Sequence, residues 1–174
     1  MLSGRVKAPA KQIFQMTPGY PSDLRMDRGM VAVIECEQEI PCNPCELSCP
    51  QNAIKIGMPI TNLPELIEDS CIGCGGCIAG CPGQAIFMVD KTFSEEKALV
   101  VIPYEYCPMP EAGESVKVKN RNGEIIGTGR INKVINNVST DKTAVLYIET
   151  DKDISEEVRA IETGCDQGGT VNFL

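Results

Sequence analysis

The chain has 174 residues, of which 43% are apolar, carries a formal net charge of −8 and contains no histidine. This length suits one ordinary domain or two small ones, and without imidazole the chain lacks the commonest general base. The acidic balance disfavours nucleic acid as a partner, because phosphates bind Lys and Arg. The sequence has no run of 18 apolar residues and no glycine-rich nucleotide loop, so we predict neither a membrane span nor a nucleotide site.

Residues 1–30 are predicted to form an extended N-terminal arm with five bases and two acids, whereas residues 29–90 hold eight acids and one base. The arm is therefore either a solvated tail or a segment that wraps a partner or this chain's own acidic module. Its start lacks the apolar stretch of a secretory signal. Because the ten cysteines cluster in C-x2-C runs, we expect metal binding in a reducing cytoplasm rather than disulfides.

Residues 31–90 contain an internal repeat. The segment CNPCELSCPQNAI (42–54) aligns with CGGCIAGCPGQAI (74–86) at a constant offset of 32 residues. Short strands are predicted at 31–35, 53–56 and 85–89, and the segment 63–70 is either extended or a single turn. Two copies of one supersecondary unit therefore build this part of the chain.

The second copy carries the motif Cys71-x2-Cys74-x2-Cys77-x3-Cys81-Pro82. It resembles the motif of bacterial two-cluster ferredoxins, in which three thiolates bind one [4Fe–4S] cluster and the fourth reaches the other. Three ligands so close together must curl around a cube, and the glycines between them allow the backbone amides to turn towards sulfur. The proline ends the loop and directs the fourth thiolate away.

The first copy carries Cys42, Cys45 and Cys49 but has Glu39 where the repeat places its first ligand. Cys36 lies three residues earlier, so we interpret this loop as stretched. If Cys36 is not a ligand, we expect a [3Fe–4S] cluster at this site. The predicted ligands are Cys36, Cys42, Cys45 and Cys81 for cluster 1, and Cys71, Cys74, Cys77 and Cys49 for cluster 2.

Structural zinc is the alternative to iron–sulfur clusters. Two C-x2-C knuckles commonly share one tetrahedral zinc ion, and the Cys42/Cys45 pair with the Cys71/Cys74 pair would serve. That arrangement leaves the other cysteines of the two runs without a role and does not explain why each run ends in Cys-Pro. The spacing therefore favours iron–sulfur clusters over zinc.

The resemblance to two-[4Fe–4S] ferredoxins covers residues 31–90, about a third of the chain. It implies an α+β, ferredoxin-like module of the βαβ type with pseudo-two-fold symmetry, and one-electron transfer at low potential. The departure from the family pattern is the first loop, which puts the ligand role of Cys36 in question.

A second resemblance covers about twenty residues within RMDRGMVAVIECEQEIPCNPCELSCP (25–50). This stretch is similar to the start of small ferredoxin-like proteins that accompany flavin-dependent amino- or imino-acid dehydrogenases of the proline, hydroxyproline and opine type. The resemblance implies a hetero-oligomer in which a partner subunit binds FAD and passes electrons singly to the clusters. No residue of this chain is expected to be catalytic.

Residues 91–110 are predicted to be a linker, and residues 111–174 a small antiparallel β-sheet or barrel module with a C-terminal helix. Apolar alternation indicates four strands in this module, and Asn122-Gly123 is typical of a hairpin turn. The helix is predicted over 153–162, capped by Asp153 or Ser155 and ended by Gly164. Cys107 and Cys165 are expected to be reduced, partly buried thiols.

Three functions are compatible with these features. The first is an electron-transfer subunit of a flavin-dependent dehydrogenase complex, and the second is a free-standing ferredoxin that serves several oxidoreductases. The third is an iron–sulfur sensor or scaffold protein. The role of the β module does not follow from the sequence.

Overall fold

The computed structural model describes residues 15–140 and 143–163, and a seven-stranded sheet runs through most of this part of the chain. Neighbouring strands in it are antiparallel throughout. In order of pairing, they are β1 (Val31–Ile34), β4 (Ile86–Asp90), β5 (Lys97–Tyr104), β8 (Ala144–Asp151), β7 (Ile125–Ile135), β6 (Ser115–Lys119) and β9 (Ala160–Ile161). Strands β2 (Ile54–Lys55) and β3 (Glu65–Leu66) form a separate antiparallel pair.

The helices are single turns: α1 (Asp23–Met26), α2 (Pro44–Leu47) and α3 (Gly76–Gly80). Two 3-10 turns, Glu68–Ser70 and Val138–Thr140, complete the described elements. Both α2 and α3 lie within the cysteine runs, and each ends just before a Cys-Pro pair. Proline disfavours helix in the residue before it, so the helices stay short. None of the described helices has the length and apolar character needed to cross a bilayer.

The repeat seen in the sequence recurs in the backbone. Helices α2 and α3, and strand β2 with the start of β4, are each 32 residues apart. Asn52 and Gln84 occupy equivalent positions, and both adopt a left-handed φ of 51°. The two copies therefore share a local conformation down to an unusual backbone angle.

The buried residues form two cores on opposite sides of the central strands. Alternate residues of β5 contribute to different cores: Val101 packs in the first, and Val100 and Ile102 pack in the second. Successive side chains of a strand point to opposite faces, which is why β5 is buried almost throughout. The first core contains cysteines from both copies of the repeat, and the second is the core of the C-terminal sheet.

The linker predicted over 91–110 is wrong where strand β5 lies. Residues 97–104 pair with β4 on one side and β8 on the other, so they join the two predicted modules into one sheet. The apolar run ALVVI within this segment is the continuous pattern of a strand covered on both faces.

The β module differs from prediction in two respects. The second and third of its four predicted strands are one long strand, β7, with a register shift between Ile131 and Lys133. The helix predicted over 153–162 is wrong, because residues 152–157 form turns and Ala160–Ile161 is strand β9. Backbone hydrogen bonds from Arg159 to Lys119 and from Glu162 to Lys117 attach this segment to β6 instead. Gly164 lies outside the described residues.

One prediction for the β module is confirmed, and an alternative left open in the cluster region is resolved. Asn122-Gly123 forms the hairpin turn between β6 and β7, with Gly123 at a φ of 81°. The segment 63–70, for which two conformations were open, contains both: strand β3 and then a 3-10 turn.

The described part of the arm, residues 15–30, contains α1 and packs against the acidic module. Met26 is fully buried, and the Gly19 carbonyl accepts a hydrogen bond from Ile34 N–H at the end of β1. Ser22 donates to Glu68, and Arg28 pairs with Asp69 at 2.8 Å. This part of the arm therefore wraps the chain's own module, whereas residues 1–14 lie outside the described range.

Candidate metal centres

Four of the predicted ligands surround one cavity of about 390 Å³. Its lining contains Cys36, Cys42, Cys45 and Cys81, together with apolar side chains that include Ile34. Cys36 follows β1, Cys45 lies in α2, and Cys81 comes directly after α3. The stretched loop therefore brings Cys36 to the same cavity as the cysteines of the first run.

The other four surround a second cavity of about 300 Å³, whose lining contains Cys49, Cys71, Cys74 and Cys77. The walls between these thiols are apolar and include Met88 of β4. Cys49 belongs to the first run but lines this second cavity. Cys81 belongs to the second run but lines the first cavity. Each cavity therefore receives three cysteines from one run and one from the other.

Burial and mutual repulsion act together on these thiols. Burial raises the pKa of Cys45 to about 11, and the charge of Cys81 adds to the effect. Burial likewise raises the pKa of Cys77 to about 12, and the charge of Cys71 is the next largest cause of the increase. For Cys42, burial and then Cys81 raise the pKa. Four thiolates in one such cavity need a compensating positive charge, which bound iron supplies.

The backbone around the thiols meets two further demands of a cluster site. Ala53 N–H donates to the sulfur of Cys49 at 3.2 Å, and Ala85 N–H donates to the sulfur of Cys81 at 3.5 Å. In the second loop, Gly73 has a φ of 69°, and a Cβ atom there would lie 2.8 Å from the Met30 carbonyl oxygen. Only glycine fits that position without a shift of the backbone.

The donor sets suit iron–sulfur clusters in number and chemistry. Soft thiolates in sets of four, with amide hydrogen bonds to sulfur, are typical ligands of such clusters. Within residues 15–140 and 143–163, no three His, Cys, Asp or Glu side chains converge on a position for a single metal ion. The thiols instead line the walls of two cavities, as a polynuclear cluster requires.

Of the two remaining cysteines, the structure describes Cys107. Cys107 is exposed, so the expectation that it is partly buried is wrong. It follows β5 close to Tyr106, whose ring lies 5.6 Å from that of Tyr104. Cys165 lies outside the described residues, and its predicted state stays a prediction.

Sequence reasoning missed the charged side chains that support the two ligand loops. Arg25 was counted only as a base of the arm, Glu35 as one acid among eight, and Arg159 as part of a helix. Their partners are distant in the sequence: Arg25 and Glu68 are 43 positions apart, and Glu35 and Arg159 are 124 positions apart. No local pattern reveals contacts at such separations.

Comparisons with known proteins agree with this chemistry. Residues 35–92 match a family model described as the LdpA Fe-S cluster-binding domain. The chain is 42% identical over 58 residues to the ferredoxin-type protein NapF of Haemophilus influenzae, an alignment that covers 32% of this chain and 33% of that protein.

Two further proteins are similar to about a third of the chain. A subunit of the ion-translocating oxidoreductase complex of Methanosarcina acetivorans is 38% identical over 61 residues, which are 34% of this chain and 22% of that protein. An uncharacterized ferredoxin of Methanocaldococcus jannaschii is 46% identical over 52 residues, which are 29% of this chain and 28% of that protein. No solved structure matches the chain significantly.

The chain thus spans a third or less of the length of these curated relatives. The family model, at residues 35–92, covers the region of the two cysteine runs. That region is an iron–sulfur cluster-binding segment of the ferredoxin type, and the relatives support electron transfer as its activity.

Proposed function

We propose that this chain transfers electrons through two [4Fe–4S] clusters. The observation that carries the proposal is the exchange of one cysteine between the two runs, with Cys49 at the second cavity and Cys81 at the first. Two-cluster ferredoxins require this exchange, whereas a zinc site built from two knuckles does not. The proposed ligands are Cys36, Cys42, Cys45 and Cys81 for cluster 1, and Cys49, Cys71, Cys74 and Cys77 for cluster 2.

When bound, such clusters accept and release single electrons. The chain's own residues hold them in largely apolar cavities and limit the access of water: Cys45 and Cys77 are buried, and Ile78 of α3 is fully buried. At the second cavity, Cys74 is exposed, and its neighbour Ile72 is 63% exposed. One edge of the cluster 2 site therefore reaches the surface, and we assign electron exchange with a partner to this edge.

We further propose that the chain is the iron–sulfur subunit of a cytoplasmic oxidoreductase complex whose partner subunit is a flavin-dependent dehydrogenase with FAD. Two observations support this assembly. One is the resemblance of residues 25–50 to subunits that accompany amino- and imino-acid dehydrogenases. The other is that one relative is named as a subunit of an oxidoreductase complex. The identity of the flavoprotein rests on the first observation alone.

The test is purification of the tagged full-length chain from its native host without oxygen, followed by assays of iron, acid-labile sulfide and flavin. We expect about eight irons per chain for two cubane clusters, with flavin present in stoichiometric amount. About one or two metal ions without sulfide would contradict the cluster proposal. Eight irons in a monomer without flavin would contradict the flavoprotein complex and leave the cluster proposal intact.

A diffusing ferredoxin is the second candidate, and the charge of the cluster module favours it. Residues 29–90 hold eight acids against one base, which suits electrostatic docking on basic partner surfaces. Electron transfer to such partners should slow markedly between about 0.01 and 0.15 M salt, as the Debye length shrinks from about 30 to 8 Å. Transfer that is insensitive to salt within one stable complex would exclude a diffusing carrier.

A further inference from the structure

Each cluster site is supported by a buried arginine from outside the repeat. Arg25 lies in α1 of the arm and is 8% exposed, and the side chain of Arg159, just before β9, is 6% exposed. Buried guanidinium groups carry a large desolvation cost unless their donors are used. The groups that they contact therefore indicate what these two side chains do.

Arg25 donates to backbone carbonyls around the second ligand loop. Its Nη2 donates to Cys71 O at 2.6 Å and to Met30 O at 3.2 Å, and its Nε donates to Glu68 O at 2.9 Å. A fourth bond, from Nη1 to Gly29 O, is 3.1 Å long. The guanidinium thus joins the start of β1 to the first cysteine of the second run and fixes the backbone of that cysteine.

Arg159 supports the first ligand loop through Glu35, the residue before Cys36. Its Nη2 donates to Glu35 Oε1 at 2.8 Å, and its guanidinium stacks on the Phe87 ring at 4.7 Å. Arg121, from the β6–β7 hairpin, pairs with the other oxygen of Glu35. Glu35 N–H also donates to Ala85 O at 2.8 Å, so both the side chain and the backbone of Glu35 are held.

The supporting arginines also bring positive charge to the two sites. Glu35 lies between the guanidinium groups of Arg121 and Arg159, so its carboxylate is paired on both sides. Arg121 and Arg159 line one open cleft, which Glu37 and three of the cysteines (Cys36, Cys42 and Cys81) also line. At the other site, Arg25 brings its charge to Cys71 through hydrogen bonds that end on backbone carbonyls.

We propose that Arg25 and Arg159 are positioning residues, each dedicated to one cluster. Arg25 holds the first ligand of cluster 2, and Arg159, through Glu35, holds the first ligand of cluster 1. Each also makes reduction of its own cluster easier, because a nearby cation stabilises the added electron. On this basis the arm supports one cluster and the β module supports the other. The inference rests on the cluster ligation proposed above.

A crossed set of variants of the full-length chain tests this, after reconstitution with iron and sulfide without oxygen. The variants are Arg25→Lys, Arg25→Gln, Arg159→Lys and Arg159→Gln. Iron content and an electron paramagnetic resonance redox titration follow each cluster, once Cys42→Ser and Cys74→Ser have assigned the two signals. Matched controls are Arg28→Gln, in an exposed pair with Asp69, and Lys117→Gln, in a partly exposed pair with Glu162.

Each arginine variant is expected to affect its own cluster and to leave the other cluster unchanged. Arg25→Gln should lower the occupancy or the midpoint potential of cluster 2 alone, and Arg159→Gln should do the same to cluster 1 alone. The Lys variants should keep most of the potential but lose occupancy, because lysine keeps the charge without the fork of donors. The control variants should leave both signals at wild-type occupancy and potential.

Three results would overturn the inference: unchanged signals in both Gln variants, equal loss of both clusters in each variant, or an effect on the opposite cluster. If Arg159→Gln does not fold because Glu35 is left as a poorly compensated buried charge, the double variant Glu35→Gln/Arg159→Gln removes that charge and must still affect cluster 1 alone. Wild-type protein that binds no cluster would refute the proposed function instead, so the two failures are distinguishable.

Discussion

The two proposed cluster sites each have four cysteines, but different parts of the chain support their loops. The second loop is short, with two residues between Cys71 and Cys74, and its backbone is held by a guanidinium from the arm. The first loop has five residues between Cys36 and Cys42, and it is held by buried ion pairs from the β module. Apolar side chains surround the second cavity, whereas a large cleft lined by two arginines adjoins the first.

The difference shows that two copies of one motif can be held in place by contacts from different parts of the chain. The short loop is specified mostly by its own glycines and needs one external anchor. The long loop has no glycine between its first two cysteines, and its order depends on contacts from residues more than 80 positions away. The first loop, which is three residues longer than the second, is therefore held by contacts from the C-terminal part of the chain.

Removal of both clusters should give the largest effect on amide hydrogen exchange. It should speed exchange in the first core and leave the second core protected. The first core includes cysteines from both runs, whereas the second is built without any of them. After oxidative removal of iron without denaturant, amides of α2 and α3 should exchange at least about tenfold faster, while those of β5 and β8 keep their protection. Hydrogen exchange of the loaded and iron-free protein measures this. Uniform loss of protection across the sheet would contradict the separation of the cores.

Exchange of one cysteine between the runs predicts which cluster each substitution removes. Cys81→Ala should abolish cluster 1, although Cys81 belongs to the second run, and Cys49→Ala should abolish cluster 2. Iron should fall from about eight to about four per chain in each variant. Cys107→Ala is the control, since this exposed thiol lies outside both cavities. Loss of the cluster bound by the cysteine's own run would show that the crossed assignment is wrong.

Cys36→Ala tests the stretched loop and should have a smaller effect than loss of a crossed ligand. Cluster 1 should become a [3Fe–4S] cluster or be lost, so iron should fall to about seven or about four while cluster 2 is unchanged. Iron analysis and electron paramagnetic resonance distinguish these outcomes. Unchanged iron and unchanged spectra would mean that Cys36 is not a ligand.

Gly73→Ala should lower the thermal stability of the protein more than the same substitution at another glycine with a positive φ. Alanine at a φ of 69° costs about 1–2 kcal/mol, and its Cβ would also meet the Met30 carbonyl at 2.8 Å. Gly57→Ala is the matched control, with a φ of 63° and no atom within 4 Å of the added Cβ. Thermal unfolding should show a larger fall in Tm for Gly73→Ala, and cluster 2 should be the first to be lost. Equal falls in Tm would show that the close contact does not matter.

The smallest expected effect is that of the exposed ion pair between the arm and the acidic module. The side chains of Arg28 and Asp69 are 57% and 78% exposed. Arg28→Gln should therefore change the free energy of unfolding by less than about 1 kcal/mol, and less still at high salt. Chemical denaturation at low and high salt measures this. A loss as large as that of Arg25→Gln would show that this exposed pair contributes as much to the attachment of the arm as the buried arginine does.

The local chemistry of the cluster region could be predicted from the order of residues. Ligand spacing, glycine placement and the repeat at an offset of 32 act over a few residues, so they can be recognised without the fold. The hairpin turn at Asn122-Gly123 was predicted for the same reason, because the positive φ that Gly123 adopts is a local requirement. Features that depend on short-range steric constraints and on ligand spacing can therefore be predicted from the sequence.

The conformations of the other segments and their contacts with the cluster region depend on residues far apart in the sequence. For this reason they could not be predicted. Residues 97–104 were expected in a linker and are instead a central strand, because pairing on both sides outweighs the prolines near its end. The capping residues at both ends of 153–162 suit a helix, yet hydrogen bonds to the edge of β6 draw Ala160–Ile161 into the sheet. The contacts of Arg25, Glu35 and Arg159 join distant segments, and their energy depends on burial that only the folded chain creates.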